Sequence, residues 1–262
     1  MEDYSFILDN MTFSYSNLSC FCGCKHEWKL KYIDCEEQSE NVYGQFGSFC
    51  HNILEMYENG ELKKSELARY YEEYFDDNIT EDIVFAAATA KDKLFDLGMA
   101  YFSNCDLPIK KYKVLGVEYE CNFKIDNHDF IGYIDLLLQD EHGNIIILDH
   151  KSSEYPFNKT GKIKKSAAEK YQMYKRQLYL YSKAVYEEFG IYPQKLVWNY
   201  FKDRKWDIVD FSQQEYEETL KWAEDTINDM YVELSFEPRD EFFYCRNLCG
   251  FRYNCEFAGG RP

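Results

Sequence analysis

The spacing of apolar and polar residues divides the chain into a helical first part and a second part of mixed period. Apolar side chains at Phe46, Phe49, Cys50, Ile53 and Tyr57 recur every three to four positions, which predicts a helix over 46–58. Later stretches alternate with period two or are continuously apolar, and these patterns indicate strands. The full set of predicted elements is helices over 65–76, 81–103, 167–189 and 213–232, with strands over 112–125, 129–139, 144–150, 195–201 and 206–211.

This order of elements predicts a mixed α/β fold with a helical N-terminal part. We interpret residues 1–262 as a single domain. Its helical part lies at about 40–105, its core at about 110–212, and a C-terminal helix and cysteine-containing tail at about 213–262. Apolar residues make up 45% of the chain and aromatic residues 18%, which excludes a disordered chain.

The overall charge is strongly acidic, with 30 Lys and Arg against 47 Asp and Glu and a formal net charge of −17. Nucleic acids are bound by Lys and Arg that displace counterions, so any nucleic-acid contact must be local. No apolar run approaches the ~18–20 residues that span a bilayer. The acidic start, Met1-Glu2-Asp3, differs from the basic start of a secretory signal. We therefore expect a cytoplasmic protein with no membrane contact.

A β-hairpin with charged residues at its open end is predicted between Gly132 and Lys151. Turn-forming residues at 140–144 separate two apolar strands. If the hairpin centres on His142, Asp135 and Asp149 face each other, with Cβ atoms ~5 Å apart. Lys151 follows Asp149 by two residues and therefore points the same way.

Two facing carboxylates repel each other unless a cation lies between them. Oxygen ligands at this density suit Mg²⁺ or Mn²⁺, and a neighbouring lysine can stabilise developing negative charge. The pattern thus favours metal-assisted hydrolysis of a phosphodiester. A surface hairpin whose charges simply end two strands is the alternative, and the aspartate placed in register across an apolar hairpin argues against it.

Three motifs resemble one known family. Gly132-Tyr-Ile-Asp135 followed by Asp149-His-Lys151 resembles the core of the PD-(D/E)XK nucleases. The stretch 47–55, GSFCHNILE, is similar to the N-terminal helix of the RecB-like branch, in which the histidine is a metal ligand. Residues 177–181, QLYLY, resemble the Q-x-x-x-Y motif of that branch. The resemblance runs from about residue 14 to residue 255, and it implies a restriction-endonuclease-like core, a mixed central sheet flanked by helices.

The resemblance also implies roles for individual residues. Lys151 would position and activate water, while Gln177 and Tyr181 would orient the site or touch the DNA backbone. Related nucleases carry a glutamate near the position of Glu118, which is therefore expected to approach the site. The residues implied to hold Mg²⁺ or Mn²⁺ are His51, Asp135, Asp149 and the carbonyl of His150.

Ten cysteines are many for a chain that we expect to be cytoplasmic, where disulfides are rare. Six of them lie in two groups near the two ends of the chain, and such groups suggest a metal or cluster that joins the termini. Zinc and an iron–sulfur cluster both remain open from spacing alone. The pattern resembles the iron–sulfur staple of AddB-type and CRISPR-associated nucleases, which implies a [4Fe–4S] cluster. Its implied ligands are Cys24, Cys245, Cys249 and Cys255, with Cys20 and Cys22 as competitors for the N-terminal position.

One stretch is strongly basic. Residues 151–176 hold seven lysines and one arginine against two glutamates, a local net charge of +6. Aromatic residues interleave with these lysines, as in proteins that hold single strands of nucleic acid. A solvated loop is the alternative. The candidate DNA-binding residues are Lys162, Lys164, Lys165, Lys170, Tyr171, Lys175 and Arg176.

The sequence favours a metal-dependent DNA exonuclease that hydrolyses phosphodiester bonds at ends in recombination, replication or repair. Its partner would be single-stranded or end-containing DNA, and a protein partner or a second copy of the chain is compatible with the acidic surface. The alternative is a non-catalytic or partner-dependent subunit of a recombination or CRISPR-adaptation complex. A zinc-stapled hydrolase of small molecules would explain the cysteines but not the basic stretch.

Overall fold

A computed structural model describes residues 4–83, 89–107 and 111–258. No helix in these ranges is both long and apolar enough to cross a membrane. Fourteen helices and strands are named below in chain order. They are α1 (Ser5–Asp9), α2 (Tyr15–Gly23), α3 (Lys25–Tyr32), α4 (Val42–Glu58), α5 (Leu67–Asn78), α6 (Ala90–Phe102), β1 (Lys113–Ile125), β2 (His128–Gln139), β3 (Ile145–Lys151), α7 (Ala168–Phe189), β4 (Lys195–Tyr200), β5 (Lys205–Asp210), α8 (Gln213–Val232) and α9 (Phe242–Asn247).

The five strands form one mixed sheet in the order β1-β2-β3-β4-β5. All neighbouring strands are antiparallel except β3 and β4, which run parallel and are connected through α7. A parallel pair needs such a crossover because its strands start at the same end of the sheet. The predicted mixed sheet and all five predicted strands are confirmed.

Two layers of helices cover the sheet and form separate cores. One face packs against α2, α7 and α8, around fully buried side chains such as Leu137, Leu178 and Trp198. A second core joins α4, α5 and α6 around Phe46, Tyr71 and other aromatic residues. α4 contacts both α6 and β1, so its position couples the helical layer to the sheet.

The helical part differs from the sequence prediction at one boundary. The predicted helix over 81–103 begins only at Ala90, where the Thr89 side chain accepts a hydrogen bond from the backbone N–H of Asp92. Residues 81–83 lie outside the helix, and residues 84–88 lie outside the described residues. The N-cap residue Thr89 sets where this helix begins. The run of alanines before it favours helix and led to the longer prediction.

Three short helices precede residue 40, where no element was predicted. Cys24 separates α2 from α3 in an extended conformation, and its sulfur accepts the backbone N–H of Glu27 as the N-cap of α3. Trp28 of α3 is buried and donates its indole N–H to Asn17 of α2. These contacts bring the first cysteine group close to the sheet and to the C-terminal tail.

Candidate functional site

The candidate site lies at the open end of the β2–β3 hairpin. Leu136 pairs with Leu148 and Gln139 with Ile145, which is the register predicted from a hairpin centred on His142. Beyond the last of these pairs, a carboxylate oxygen of Asp135 accepts the backbone N–H of His150 at 2.6 Å. The aspartate side chain thus replaces the next backbone contact of the ladder.

Three side chains from three different elements meet at this end of the hairpin. Ligand atoms of His51 on α4, Glu118 on β1 and Asp135 on β2 all lie within 4.8 Å of one another. Nδ1 of His51 is 3.5 Å from Oδ2 of Asp135. Burial lowers the pKa of His51 to about 4, so its imidazole is neutral and free to act as a ligand at neutral pH.

Glu118 reaches this cluster through an unusual backbone conformation. Its φ of 45° lies in the left-handed region, which non-glycine residues rarely adopt inside a strand. Val117 pairs with Leu136 and Tyr119 with Ile134, so Glu118 lies opposite Asp135. Burial, together with the neighbouring carboxylate of Asp135, raises the pKa of Glu118 to about 7. Strained residues of this kind are concentrated at functional sites.

Asp149 and Lys151 project together from β3, as predicted. Nζ of Lys151 is 2.7 Å from Oδ2 of Asp149, and both side chains are largely buried. Burial raises the pKa of Asp149 to about 6, and this value already includes the opposing effect of Lys151 and the raising effect of the nearby Asp135 carboxylate. Two neighbouring acids at one end of a hairpin favour a bound cation.

The two polar residues of the QLYLY stretch extend the site from Lys151 onto α7. The Lys151 ammonium donates to Oε1 of Gln177 at 2.8 Å, and Nε2 of Gln177 donates to the Tyr181 hydroxyl at 3.4 Å. The same ammonium lies 4.3 Å from the centre of the Tyr174 ring. Buried Tyr181 packs on Gly132, where a Cβ would come within 2.3 Å of the tyrosine ring. Gly132 therefore makes room for the side chain that orients Gln177.

The side chain of His150 points away from this cluster into a buried polar chain. Its Nδ1 lies 2.9 Å from Nδ2 of Asn199, and its Nε2 lies 2.9 Å from Oε1 of Glu58. Because the Asn199 amide must donate to Nδ1, the ring proton resides on Nε2 and is donated to Glu58. Burial raises the pKa of Glu58 to about 8. These contacts fix the ring of His150, whose backbone N–H holds Asp135.

The sequence interpretation missed Glu58 and Asn199, and it placed Tyr174 only among the aromatic residues of the basic stretch. Glu58 follows His51 by seven positions on α4, so it lies on the same face of the helix, and this spacing was a readable signal. Asn199 comes from a strand that the sequence describes only as apolar, and no sequence pattern identifies its role.

The candidate DNA-binding residues lie on two sides of α7. Lys164 and Lys170 line a cleft next to the end of β3. Tyr171 is buried, with its hydroxyl donating to Asp207. Lys175 pairs with Glu215 of α8, and Arg176 lies over the ring of Trp222, also on α8. Lys162 and Lys165 are exposed in the loop before α7.

Four cysteines line one small cavity of about 20 Å³ that lies between α3 and the C-terminal tail. They are Cys24, Cys245, Cys249 and Cys255. The other two N-terminal cysteines do not line it, since Cys20 packs against the main core and Cys22 faces Thr226 of α8. Cys24 accepts backbone N–H groups from Glu27 and Arg239 at 3.4 and 3.3 Å. Cys249 accepts the backbone N–H of Phe251 at 3.4 Å.

Comparisons with known proteins bear on the fold and the family of this chain. The chain matches the PD-(D/E)XK nuclease superfamily over residues 12–256. The structure of a candidate exonuclease from Eubacterium rectale is similar, with a TM-score of 0.57 and 15% identity over 96% of this chain and 90% of that chain. A structure named SSO0001 covers 96% of this chain and 95% of its own at 15% identity, but its TM-score of 0.39 carries no argument. No curated protein matches the chain.

At this level of identity, the structural likeness establishes the fold alone. It confirms the predicted restriction-endonuclease-like core, a mixed sheet flanked by helices. The family match spans the helix that carries His51, the hairpin that carries both aspartates and the helix that carries Gln177. The chain therefore belongs to the PD-(D/E)XK nuclease superfamily.

Proposed function

We propose that this protein is a DNA exonuclease that depends on Mg²⁺ or Mn²⁺ and hydrolyses phosphodiester bonds at DNA ends. The observation that carries the proposal is the meeting of the His51, Glu118 and Asp135 ligand atoms next to the Asp149–Lys151 ion pair. A non-catalytic subunit would not need metal-ligating side chains and an ion-paired lysine at the same site. Nucleases of the superfamily use divalent metal ions, and three ligands that converge with an open side suit such an ion.

The donor set fits a hard cation. One neutral imidazole and two carboxylates converge, and the Asp149 carboxylate is close enough for Asp135 to raise its pKa. His51, Glu118, Asp135 and Asp149 would hold the ion, and the carbonyl of His150 remains a further candidate. When bound, the cation supplies charge that polarises the phosphate and lowers the pKa of water.

Lys151 contributes charge rather than basicity. Burial opposes its positive charge, but Asp149, Tyr174 and Asp135 together outweigh this effect and raise the pKa of the ammonium. The ammonium thus stays protonated and cannot take a proton from water. It would instead donate hydrogen bonds to the phosphate or to the attacking water and stabilise the negative charge that develops. Gln177 and Tyr174 hold it in place for this role.

Two observations support DNA ends as the substrate. The similar structure from Eubacterium rectale is described as a candidate exonuclease, which is a statement about that protein. In this chain, the basic stretch over 151–176 adjoins the site, and it is exceptional in a chain with a net charge of −17. Repair or recombination is the setting in which we expect such an activity.

The test is cleavage of end-labelled single- and double-stranded DNA in Mg²⁺ and in Mn²⁺. Asp149→Asn and Lys151→Met should each lower the rate by at least about 100-fold while the circular dichroism spectrum stays that of the parent. Lys124→Met, at an exposed lysine on β1, serves as a matched control and should cleave at the parent rate. Retained cleavage in Asp149→Asn would refute the assignment. Products of single nucleotides or short oligomers from a free end, with circular DNA left intact, would establish exonuclease action.

We further propose that Cys24, Cys245, Cys249 and Cys255 hold a [4Fe–4S] cluster that joins α3 to the C-terminal tail. No three of these sulfur atoms lie within 4.8 Å of one another, a statement that covers the described residues, to which all four cysteines belong. Four thiolates could also hold zinc, and what favours the cluster is the resemblance of the cysteine pattern to the iron–sulfur staple of related nucleases. The backbone N–H groups directed at Cys24 and Cys249 are the hydrogen bonds that tune cluster thiolates.

Anaerobic purification followed by iron, sulfide and zinc assays tests this cluster. About four irons per chain and a broad absorbance band are expected for the parent protein. Cys249→Ser should lose both, whereas Cys35→Ser, at an exposed cysteine away from the cavity, should keep them. One zinc per chain with no iron would overturn the assignment.

A further inference from the structure

A polar groove opens directly beyond the end of β3, next to the candidate site. It has a volume of about 530 Å³ and lies between the N-terminal end of α4 and the loop that follows Lys151. Tyr43 of α4 and Ser152 and Ser153 of the loop are among its lining residues. A second cleft of about 290 Å³ also has Tyr43 and Lys202 in its lining, so it lies next to the groove.

The lining of the groove is basic. Lys164, Lys170 and Lys202 converge on it, and Glu154 is its one carboxylate within the described residues. This local excess of positive charge stands out in a chain with a net charge of −17. The Ser153 hydroxyl also lines the groove and has no hydrogen-bond partner among residues that the structure describes. Such a surface suits a polyanion more than an apolar or cationic ligand.

An aromatic ring lies at the far end of the groove. Nζ of Lys202 is 5.3 Å from the centre of the Tyr43 ring. Tyr43 is half-buried, and a lysine over an aromatic ring can hold a phosphate next to a base that stacks there. Neither residue belongs to the basic stretch that the sequence identified.

One face of α4 connects this end of the groove to the candidate site. Gly44, Gly47 and His51 recur at intervals of three and four residues, so they lie on one face. A Cβ on Gly47 would come 3.1 Å from Oγ of Ser152, which shows how closely α4 approaches the strand end there. Seven residues of α-helix span about 10 Å. That length corresponds to about three nucleotides at a rise of 3.4 Å.

We propose that this groove holds a single strand of DNA, about three nucleotides on one side of the cleaved phosphodiester, with Tyr43 and Lys202 at its far end. The inference rests on the proposed nuclease function. A groove of this volume, in the range of about 300–1,000 Å³ typical of ligand sites, can hold part of one strand and not a duplex. The C-terminal segment closes the other side with Tyr244 and Leu248.

Binding to a fluorescein-labelled oligodeoxythymidine, measured by anisotropy in the Asp149→Asn background, tests the proposal without cleavage. Lys202→Met and Lys170→Met should each weaken binding several-fold and reduce the slope of log K against log salt by about 0.7. Tyr43→Leu should weaken binding about tenfold, and Tyr43→Phe should not, because the ring is retained. Lys124→Met is the matched control and should change neither affinity nor slope.

The outcomes separate this inference from the function on which it rests. If the groove variants bind single-stranded DNA as tightly as the control Lys124→Met, the groove is not the binding site, even if the parent protein cleaves DNA. Equal weakening of duplex and single-strand binding would overturn the single-strand assignment. If the parent cleaves no DNA but the groove variants lose single-strand binding with the expected slopes, the nuclease function fails while the groove stands as a single-strand binding surface.

Discussion

The carboxylate oxygens of Glu118 and Asp135 lie within 4.8 Å of each other across strands β1 and β2. They meet because Glu118 adopts a φ of 45° in the middle of its strand. Two half-buried acids at this distance repel each other, and the left-handed conformation is unfavourable as well. The fold tolerates both the repulsion and the backbone strain, which is expected when a bound cation offsets them.

Replacing Glu118 by glycine should separate stability from metal binding. Glycine adopts the left-handed conformation without strain, which should gain roughly 1–2 kcal/mol of stability. Its greater backbone entropy in the unfolded chain should cost roughly 0.5–1 kcal/mol. We expect the metal-free variant to be as stable as the parent or up to about 1 kcal/mol more stable, with Mn²⁺ affinity lowered at least tenfold. Urea denaturation and calorimetric Mn²⁺ titration measure the two effects.

Glu120→Gly is the matched control for this pair of measurements. Glu120 lies two residues along the same strand and outside the set of non-glycine residues with positive φ. It should lose roughly 0.5–1 kcal/mol of stability and keep its metal affinity. A Glu118→Gly variant that binds Mn²⁺ like the parent would remove Glu118 from the ligand set.

The buried acids predict that the metal-free protein loses stability as pH rises. Burial raises the pKa of Asp149 to about 6 and that of Glu118 to about 7, both above their ordinary values of 3.8 and 4.5. At pH values between the ordinary and the raised pKa of each acid, the folded protein retains a proton that the unfolded chain has released. The contribution of these two acids to the free energy of unfolding is therefore most favourable below about pH 4. It is lost as pH rises through about 6 to 7.

Thermal unfolding in EDTA and in Mn²⁺ at several pH values measures this effect. A cation replaces the protons on these carboxylates, so the gain in Tm on adding Mn²⁺ should be larger at pH 8 than at pH 5. Glu118→Gln should flatten the pH dependence in EDTA. An equal metal-induced gain at both pH values would contradict the assignment of these acids as ligands.

Gly132→Ala should disturb the site through Tyr181. The new Cβ would come within 2.3 Å of the buried tyrosine ring, and such overpacking costs on the order of 1–3 kcal/mol. A displaced Tyr181 would release Gln177 and, through it, Lys151, so kcat should fall more than KM changes. Gly23→Ala, where a Cβ meets nothing within 4 Å, is the control.

The double variant Gly132→Ala with Tyr181→Ala decides whether the clash is the cause. It should be less destabilised than the sum of the two single variants, because the ring that meets the new Cβ is absent. Additive losses in urea denaturation would show that Gly132 acts in some other way.

Asn41 links the cysteine-containing tail to the helix that carries His51. Its side-chain oxygen caps α4 by accepting the backbone N–H groups of Tyr43 and Gly44, and its amide donates to the carbonyl of Leu248 at 2.6 Å. Asn41→Ala removes both functions and should cost about 1–2 kcal/mol. Asn41→Asp retains the capping oxygen and loses only the donor, so its cost should be smaller. Equal losses from both variants in urea denaturation would assign the whole effect to the link with Leu248.

The hairpin and its register were predictable because local chemistry specifies them. Turn-forming residues between two apolar runs fix the centre, and alternation then orients Asp149 and Lys151 together. Glu58 and Asn199 were not predictable in the same way, because their role depends on contacts between α4, β3 and β4. The start of α6 was placed too early because alanine favours helix at every position, whereas the cap at Thr89 determines where this helix begins.

The crossover between the parallel strands has a consequence for the order in which the protein folds. Asp135, Asp149, Lys151, Gln177 and Tyr181 all come from one continuous segment of hairpin and following helix, whose contacts are local in sequence. His51 must arrive from a helix that packs in another core, which is a contact of high sequence separation. A chain that has formed only the local part would hold Lys151 in place without His51, the two residues to which the proposed function assigns phosphate contact and metal binding. Catalytic competence would then appear only when the helical layer docks, so a partly folded chain would be harmless to DNA.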